Sequence, residues 1–180
     1  PCFDSSLDIS VKGSAIDEVR SLMDIAYNAR VPYVVVCAIG GNEEAVYSAL
    51  LELVPYAEQI GVSILVKTSG IYSDTGRLRN MLDRFASDNL AVLWDIHHPY
   101  RDNSESGDQT IKNLGCYVKH VHMRDSDDSG KYQLIGEGTM PIDDVMRALS
   151  SVNYDGFISL EWKPDWLEDL QDPEIIFPYF

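Results

Sequence analysis

Four apolar runs in this chain each close on an ionisable side chain. SILVK ends in Lys67, AVLWD in Asp95, YVKHVH in His122 and GFISLE in Glu161. A charged group at the end of a core strand is expensive to bury alone and is normally paired, hydrogen-bonded or placed on a metal. Two carboxylates and an imidazole with open positions suit an oxygen-preferring divalent ion such as Mn²⁺, Mg²⁺, Co²⁺ or Fe²⁺, with Zn²⁺ as a further candidate. The same carboxylates can move protons. A lysine among them could act as a second acid or base if burial and a nearby cation lower its pKa. Alternatively it could pair with the carboxylates, or form a Schiff base with a carbonyl.

The elements that would position these groups alternate along the chain. Residues 14–30 carry Ile16, Val19, Leu22, Met23 and Ala26 at helical spacing. VPYVVVCAIGG follows as a β-rich run stopped by two glycines. Residues 42–60 predict a helix with Asn42 as N-cap, acids in the first turn and Pro55 as a candidate kink. Further strands are expected in GVSILVKTSG, NLAVLWDIHH, CYVKHVHMRD and DGFISLEW, and a first short one around residues 1–4. Helices are expected at 74–88, near 109–115 and at 141–152, with a polar loop from Arg101 to Asp108. Repeated strand–helix units with near-continuous apolar strands imply a parallel sheet covered by helices. No GxGxxG follows a strand, so a dinucleotide fold has no support.

Strand alternation gives a consistent inward set. Phe157, Ser159 and Glu161 share a face, as do Leu93 and Asp95, and as do Val118, His120 and His122. In a closed β/α barrel the strand C-termini converge on one mouth, where chemistry sits. Lys67, Asp95, His122 and Glu161 would meet there, with His120 one layer deeper. Arg101 and Arg124 flank that mouth as anchors for a phosphate or carboxylate. His97, Trp94, Trp162 and Trp166 read as packing residues. GEG at 136–138 reads as loop punctuation, with Glu137 a weak site candidate.

The 180 residues suffice for one domain with a real core, and the net charge of −15 repels phosphate backbones and anionic membranes. No apolar run is long enough to span a bilayer. Three scattered cysteines fit neither a disulfide framework nor a zinc knuckle, which points to a reducing, cytoplasmic setting. The expected partner is a small molecule, with no nucleic acid and no membrane; a homo-oligomer stays open.

WDIHH, KHVHMRD with the following IGEG, and NYDGFISLEW, in this order and spacing, resemble the xylose isomerase-like TIM-barrel superfamily of sugar and sugar-phosphate isomerases and epimerases. The resemblance runs from about Cys2 to Trp162. It implies an α/β fold, a (β/α)8 barrel of which about six strand–helix units are present. Such barrels typically run to about 250 residues. Residues 1–180 would then form one barrel domain lacking its N-terminal units, and the opening PCFDSSLDIS, without an initiator Met, fits a fragment or processed product. The resemblance implies a metal held by Glu, Asp, His and Glu from successive strand ends, with the two glutamates also moving protons. Asp95, His122 and Glu161 match the last three positions, and His98 matches a residue that touches substrate. At the first position Lys67 stands where Glu is expected.

The leading expectation is therefore a sugar or sugar-phosphate isomerase or epimerase, acting by metal-assisted proton transfer next to a carbonyl through Glu161 and Lys67. An inosose-type dehydratase and a catalytically altered sugar-binding barrel, with Lys67 in place of the metal, are the alternatives. The superfamily's multi-zinc DNA-repair branch is disfavoured by the charge of −15 and by the shortage of further ligands.

Overall fold

In the computed structural model, which describes residues 2–11, 13, 15–162, 174 and 177–180, six parallel strands form one sheet. The strands are β1 (Cys2–Asp8), β2 (Tyr33–Cys37), β3 (Ser63–Lys67), β4 (Leu90–Asp95), β5 (Val118–Met123) and β8 (Phe157–Leu160), and they are paired in that order. A small antiparallel pair, β6 (Asp125–Ser126) and β7 (Tyr132–Gln133), lies in the connection after β5. The helices are α1 (Ile16–Ala29), α2 (Glu43–Ile60), α3 (Thr75–Leu82), α4 (His97–Asn103), α5 (Gly107–Leu114) and α6 (Ile142–Ser151). This is part of a β/α barrel, as expected.

The alternation of side chains sorts the sheet into two faces. Val34, Val36, Ile64, Val66, Val92, Trp94, Val121 and Met123 join the core shared with the helices. Val35, Leu65, Ala91 and Leu93 form a separate inner cluster, with Cys2 and Tyr33 packed against it. Lys67 and Asp95 lie two residues beyond Leu65 and Leu93, so they continue the inner face to its C-terminal rim. Trp94 is a packing residue, 1% exposed; Trp166 lies outside the described residues.

Two irregularities depart from simple alternation. The β4–β5 register shifts between Val92 and Leu93, which pair with Val118 and His120. Val118 consequently packs in the helix-side core, and only His120 and His122 keep the inward facing expected for all three. β1 runs to Asp8 rather than ending near residue 4, because a bulge between Asp4 and Leu7 lets the strand continue. Such a bulge re-aims side chains locally. Asp4 stays opposite Val35 of the inner cluster, while Leu7 packs on the helix side.

Helix boundaries follow local chemistry. Asn42 caps α2 by accepting from the Ala45 N–H, and α2 continues through Pro55, which lies on the exposed face where water can satisfy the freed carbonyl. The helix expected over 74–88 stops at Leu82, where Arg84 and Phe85 donate to Met81 and Leu82 in a tightened last turn. The segment expected as a loop from Arg101 begins inside α4. Pro99 does not merely stop the strand; it occupies the first turn of this helix, where a missing N–H is tolerated.

The IGEG loop is organised by Asp125, which is 1% exposed. Its carboxylate accepts from the N–H groups of Ser126, Gly136, Gly138 and Met140 at 2.8–3.1 Å. A Cβ on Gly138 would overlap Asp125 Oδ1 and lie 2.6 Å from Ser126 O. Gly138→Ala is expected to destabilise the protein by about 1–3 kcal/mol, the scale of leaving buried acceptors poorly satisfied. Urea denaturation of the variant against the parent checks this, and an unchanged midpoint would contradict it.

Candidate functional site at the barrel mouth

The four strand ends converge. Lys67 Nζ donates to Glu161 Oε1 at 2.8 Å and lies 3.3 Å from Asp95 Oδ2. Lys67 and Glu161 are 6% exposed and Asp95 is fully buried. A third carboxylate, Asp4 from β1, approaches the same ammonium at 3.6 Å. His122 Nδ1 stands 3.9 Å from Asp4 Oδ2 and 3.8 Å from Glu161 Oε1.

Arg124 is built into the same cluster. Its Nη2 donates to Asp95 Oδ2 at 3.0 Å, and Nη1 lies 3.3 Å from Glu161 Oε2. Nη1 also donates to the Tyr132 hydroxyl at 2.7 Å. His98 Nε2 faces Arg124 Nη2 at 2.9 Å. A guanidinium only donates, so Nε2 is assigned as acceptor and Nδ1 carries the proton directed at Asp102 Oδ2, 3.1 Å away. Asp95 is held from the other side: its Oδ1 accepts from the His97 N–H at 3.1 Å, and Thr68 Oγ1 bridges its backbone.

The remaining expected groups lie around this centre. His120 sits one layer deeper and contacts Ser159 Oγ at 2.8 Å. His97 contacts Ser126 Oγ at 3.1 Å. Arg101 is committed to the loop: it donates to Ser126 Oγ, Ser126 O and Thr139 Oγ1 at 3.1, 2.6 and 2.7 Å, and pairs with Asp128 at 3.4 Å. A cavity of roughly 500 Å³ opens above the cluster, and Lys67, Arg124, His98, Asp102, Tyr132 and Ser69 are among its walls.

Charge coupling overrides burial at the centre. Burial alone would push the Lys67 amine down, but Asp95, Glu161 and Asp4 together drive its pKa up, so the ammonium is the resting form. The carboxylates thus act opposite to the burial from which a lowered lysine pKa was expected. Burial alone would raise Glu161, but neighbouring His122, Lys67 and Arg124 pull it well below the carboxylate range. His97 and His120 are held down to about 4, chiefly by burial, with Arg124 and His122 respectively adding repulsion.

Two residues of the cluster carried no site expectation. Asp4 escaped because β1 was expected to end there; the bulge that keeps it inward has no sequence signature beyond the SSL interruption. Tyr132 reaches the site on the β6–β7 pair, whose two-residue strands are too short for periodicity to register.

The sequence matches the family described as xylose isomerase-like TIM barrel over residues 4–176, and the chain belongs to that family. It is 25% identical over 168 residues to fructoselysine 3-epimerase of Escherichia coli O157:H7, covering 86% of this chain and 61% of that protein. A D-tagatose 3-epimerase-like protein of known structure superposes with a TM-score of 0.76 at 22% identity, covering 99% of this chain and 76% of that one. Endonuclease IV of Thermus thermophilus superposes at 0.71 with 19% identity, covering 96% and 70%, so the fold alone does not select a reaction. The chain spans 61% of the length of the epimerase it matches. Among the described residues, no helix is long and apolar enough to cross a membrane.

Family membership raises the question of a divalent metal, and the donor set permits a test. Donor atoms of Asp4, His122 and Glu161 lie within 4.8 Å of one another, a suitable ligand chemistry. Two fixed cations already face these carboxylates, and Lys67 hydrogen-bonds to one of them. A divalent ion about 4 Å from an ammonium meets repulsion on the order of 8 kcal/mol at an effective dielectric of 20. The carboxylates attract such an ion, but Lys67 Nζ already stands among them, 2.8 Å from Glu161 Oε1 and 3.6 Å from Asp4 Oδ2. With Lys67 protonated and Arg124 alongside, the cluster does not fit a resident divalent ion.

The histidines give a stability prediction. Between about pH 6.5 and pH 4 the unfolded chain binds protons at His97 and His120 that the folded chain refuses. Stability is therefore expected to fall as pH drops through that window. Urea midpoints measured from pH 7.5 to 4.5 check it, and a rise toward acid would contradict it.

Proposed function

We propose that this chain carries the active site of a carbohydrate isomerase or epimerase that moves a proton on the carbon next to a carbonyl. The supporting observation is the buried Lys67–Glu161–Asp95–Arg124 cluster, whose two cations line a cavity of roughly 500 Å³. Its relation to fructoselysine 3-epimerase agrees with this class.

In this proposal a hydroxy-carbonyl substrate lies over Lys67 and Arg124. Glu161 is kept ionised and accepts the proton from carbon. Its low basicity in the resting cluster is relieved when substrate oxygens take over hydrogen bonds from Lys67 and Arg124. The same N–H groups, turned from the carboxylates to the substrate, stabilise the developing enolate oxygen. His98, fixed through Asp102 and Arg124, is placed to bind a substrate hydroxyl. The sequence expectation of metal assistance meets the Lys67 ammonium, so the chain's own cations are given the electrostatic role. Arg124 and Arg101 are both engaged internally, which favours neutral sugars over sugar phosphates.

A second function is favoured by one specific feature: both cations of the cluster are already engaged by its three carboxylates, an arrangement that also suits a sugar-binding barrel without catalysis. An inosose-type dehydratase would use the same proton abstraction and then expel a hydroxyl.

Solvent deuterium exchange separates these. The protein is expected to wash deuterium from D2O into the carbon next to the carbonyl of a ketose in a panel of free and phosphorylated sugars. Glu161→Gln is expected to reduce kcat by about 10²–10⁴-fold with little change in KM. Binding of sugar without exchange would leave only the binding barrel, and loss of water from the product would identify the dehydratase.

A further inference from the structure

We propose that the Lys67 ammonium replaces, in place and in charge, the divalent ion implied by the family, so that this mouth binds the oxygens of an α-hydroxy aldehyde or ketone without metal. The inference rests on the proposed function for its ligand class, but its test does not.

Lys67 ends β3 on the inner face, and its Nζ lies within 3.6 Å of carboxylates from three separate elements. Asp4 and Glu161 belong to opposite edges of the six-stranded sheet, so a single cation gathers ligand-type oxygens from the whole curved face. That is the task of a metal centre, done here by a covalently attached charge. Arg124 supplies a second unit charge 3.0 Å from Asp95 and 3.3 Å from Glu161. Together they deliver the two positive charges of a divalent ion as two fixed groups. Each offers N–H donors, and both line the cavity where a substrate would enter.

The arrangement differs from a metal in what it can bind. A divalent ion polarises two adjacent oxygens through inner-sphere contact. An ammonium and a guanidinium bind the same pair through directional hydrogen bonds, whose strength rises as negative charge develops. Because both cations are tied to the chain, the site is ready at any metal concentration and cannot be emptied by a chelator.

Mn²⁺ titration by calorimetry, with Mn²⁺ electron paramagnetic resonance as a second readout, tests the proposal on the protein freed of metal by chelator dialysis. The parent protein is expected to show no binding tighter than about 1 mM, and Lys67→Glu is expected to gain at least about 100-fold in Mn²⁺ affinity. Micromolar Mn²⁺ binding by the parent overturns the proposal, and so does a folded Lys67→Glu protein with no gain. The parent measurement needs no variant, so misfolding of Lys67→Glu leaves that arm decisive. Absence of deuterium exchange alongside the expected metal result would defeat the proposed function while leaving the charge replacement intact.

Discussion

The ion-paired ammonium of Lys67 is the constraint on which the mouth of this barrel depends. Three carboxylates of like charge cannot share a nearly dry space unless something positive stands among them. Lys67 does so from the middle of the sheet, reaching Asp4 on one edge strand and Glu161 beyond the other. Removing the ammonium would leave uncompensated buried charge, a change worth about 3–5 kcal/mol in typical proteins. The pair is thus a structural tie across the curved sheet as well as the centre of the candidate site.

That tie requires the surrounding chain to bring these strand ends together, and local devices achieve it. The β1 bulge keeps Asp4 on the inner face while the strand continues to Asp8. The β4–β5 register shift turns Val118 to the helices and keeps His120 and His122 inward. Thr68 closes the gap between β3 and β4 by bonding to both backbone groups of Asp95. Asp125 gathers the N–H groups of the following loop, and Arg101 fastens that loop to α4. Tyr132, carried by the loop's short β-pair, then meets Arg124. Each device helps set the position of one of the charges of the cluster.

The parts of this arrangement that were legible in the sequence share one property: they follow from period and position. Apolar runs ending in Lys67, Asp95, His122 and Glu161 announce parallel strands with polar C-termini, and alternation alone puts those residues on one face. Asn42 marks a helix start by chemistry that acts within four residues, and helices lie within the stretches expected at 42–60, 74–88 and 141–152. What was not legible depends on contacts between distant segments. The rise of the Lys67 pKa comes from charges on three other elements, one of them Asp4, 63 positions away. Burial, which a strand end does announce, pushes the amine in the opposite direction. The engagement of Arg101 with Ser126 and Thr139 likewise needs the loop path before it can be known.

Mutual neutralisation also shapes what the site can recognise. An open cationic pocket attracts phosphates, whereas here Lys67 and Arg124, the cations of the cluster among the described residues, already face carboxylates. A phosphate would have to displace an internal carboxylate from a desolvated partner, while a neutral polyol can enter by exchanging one hydrogen bond for another. The balance is poised rather than inert. In the proposed reaction, a carbonyl oxygen gaining negative charge would draw the donors of Lys67 and Arg124 toward it, and Glu161 would then hold the proton it had taken. Proton affinity and oxyanion stabilisation are then coupled through the same ammonium and guanidinium. A compact cluster of mutually engaged charges would in this way stay stable in the resting fold and still answer the charge that appears only during reaction.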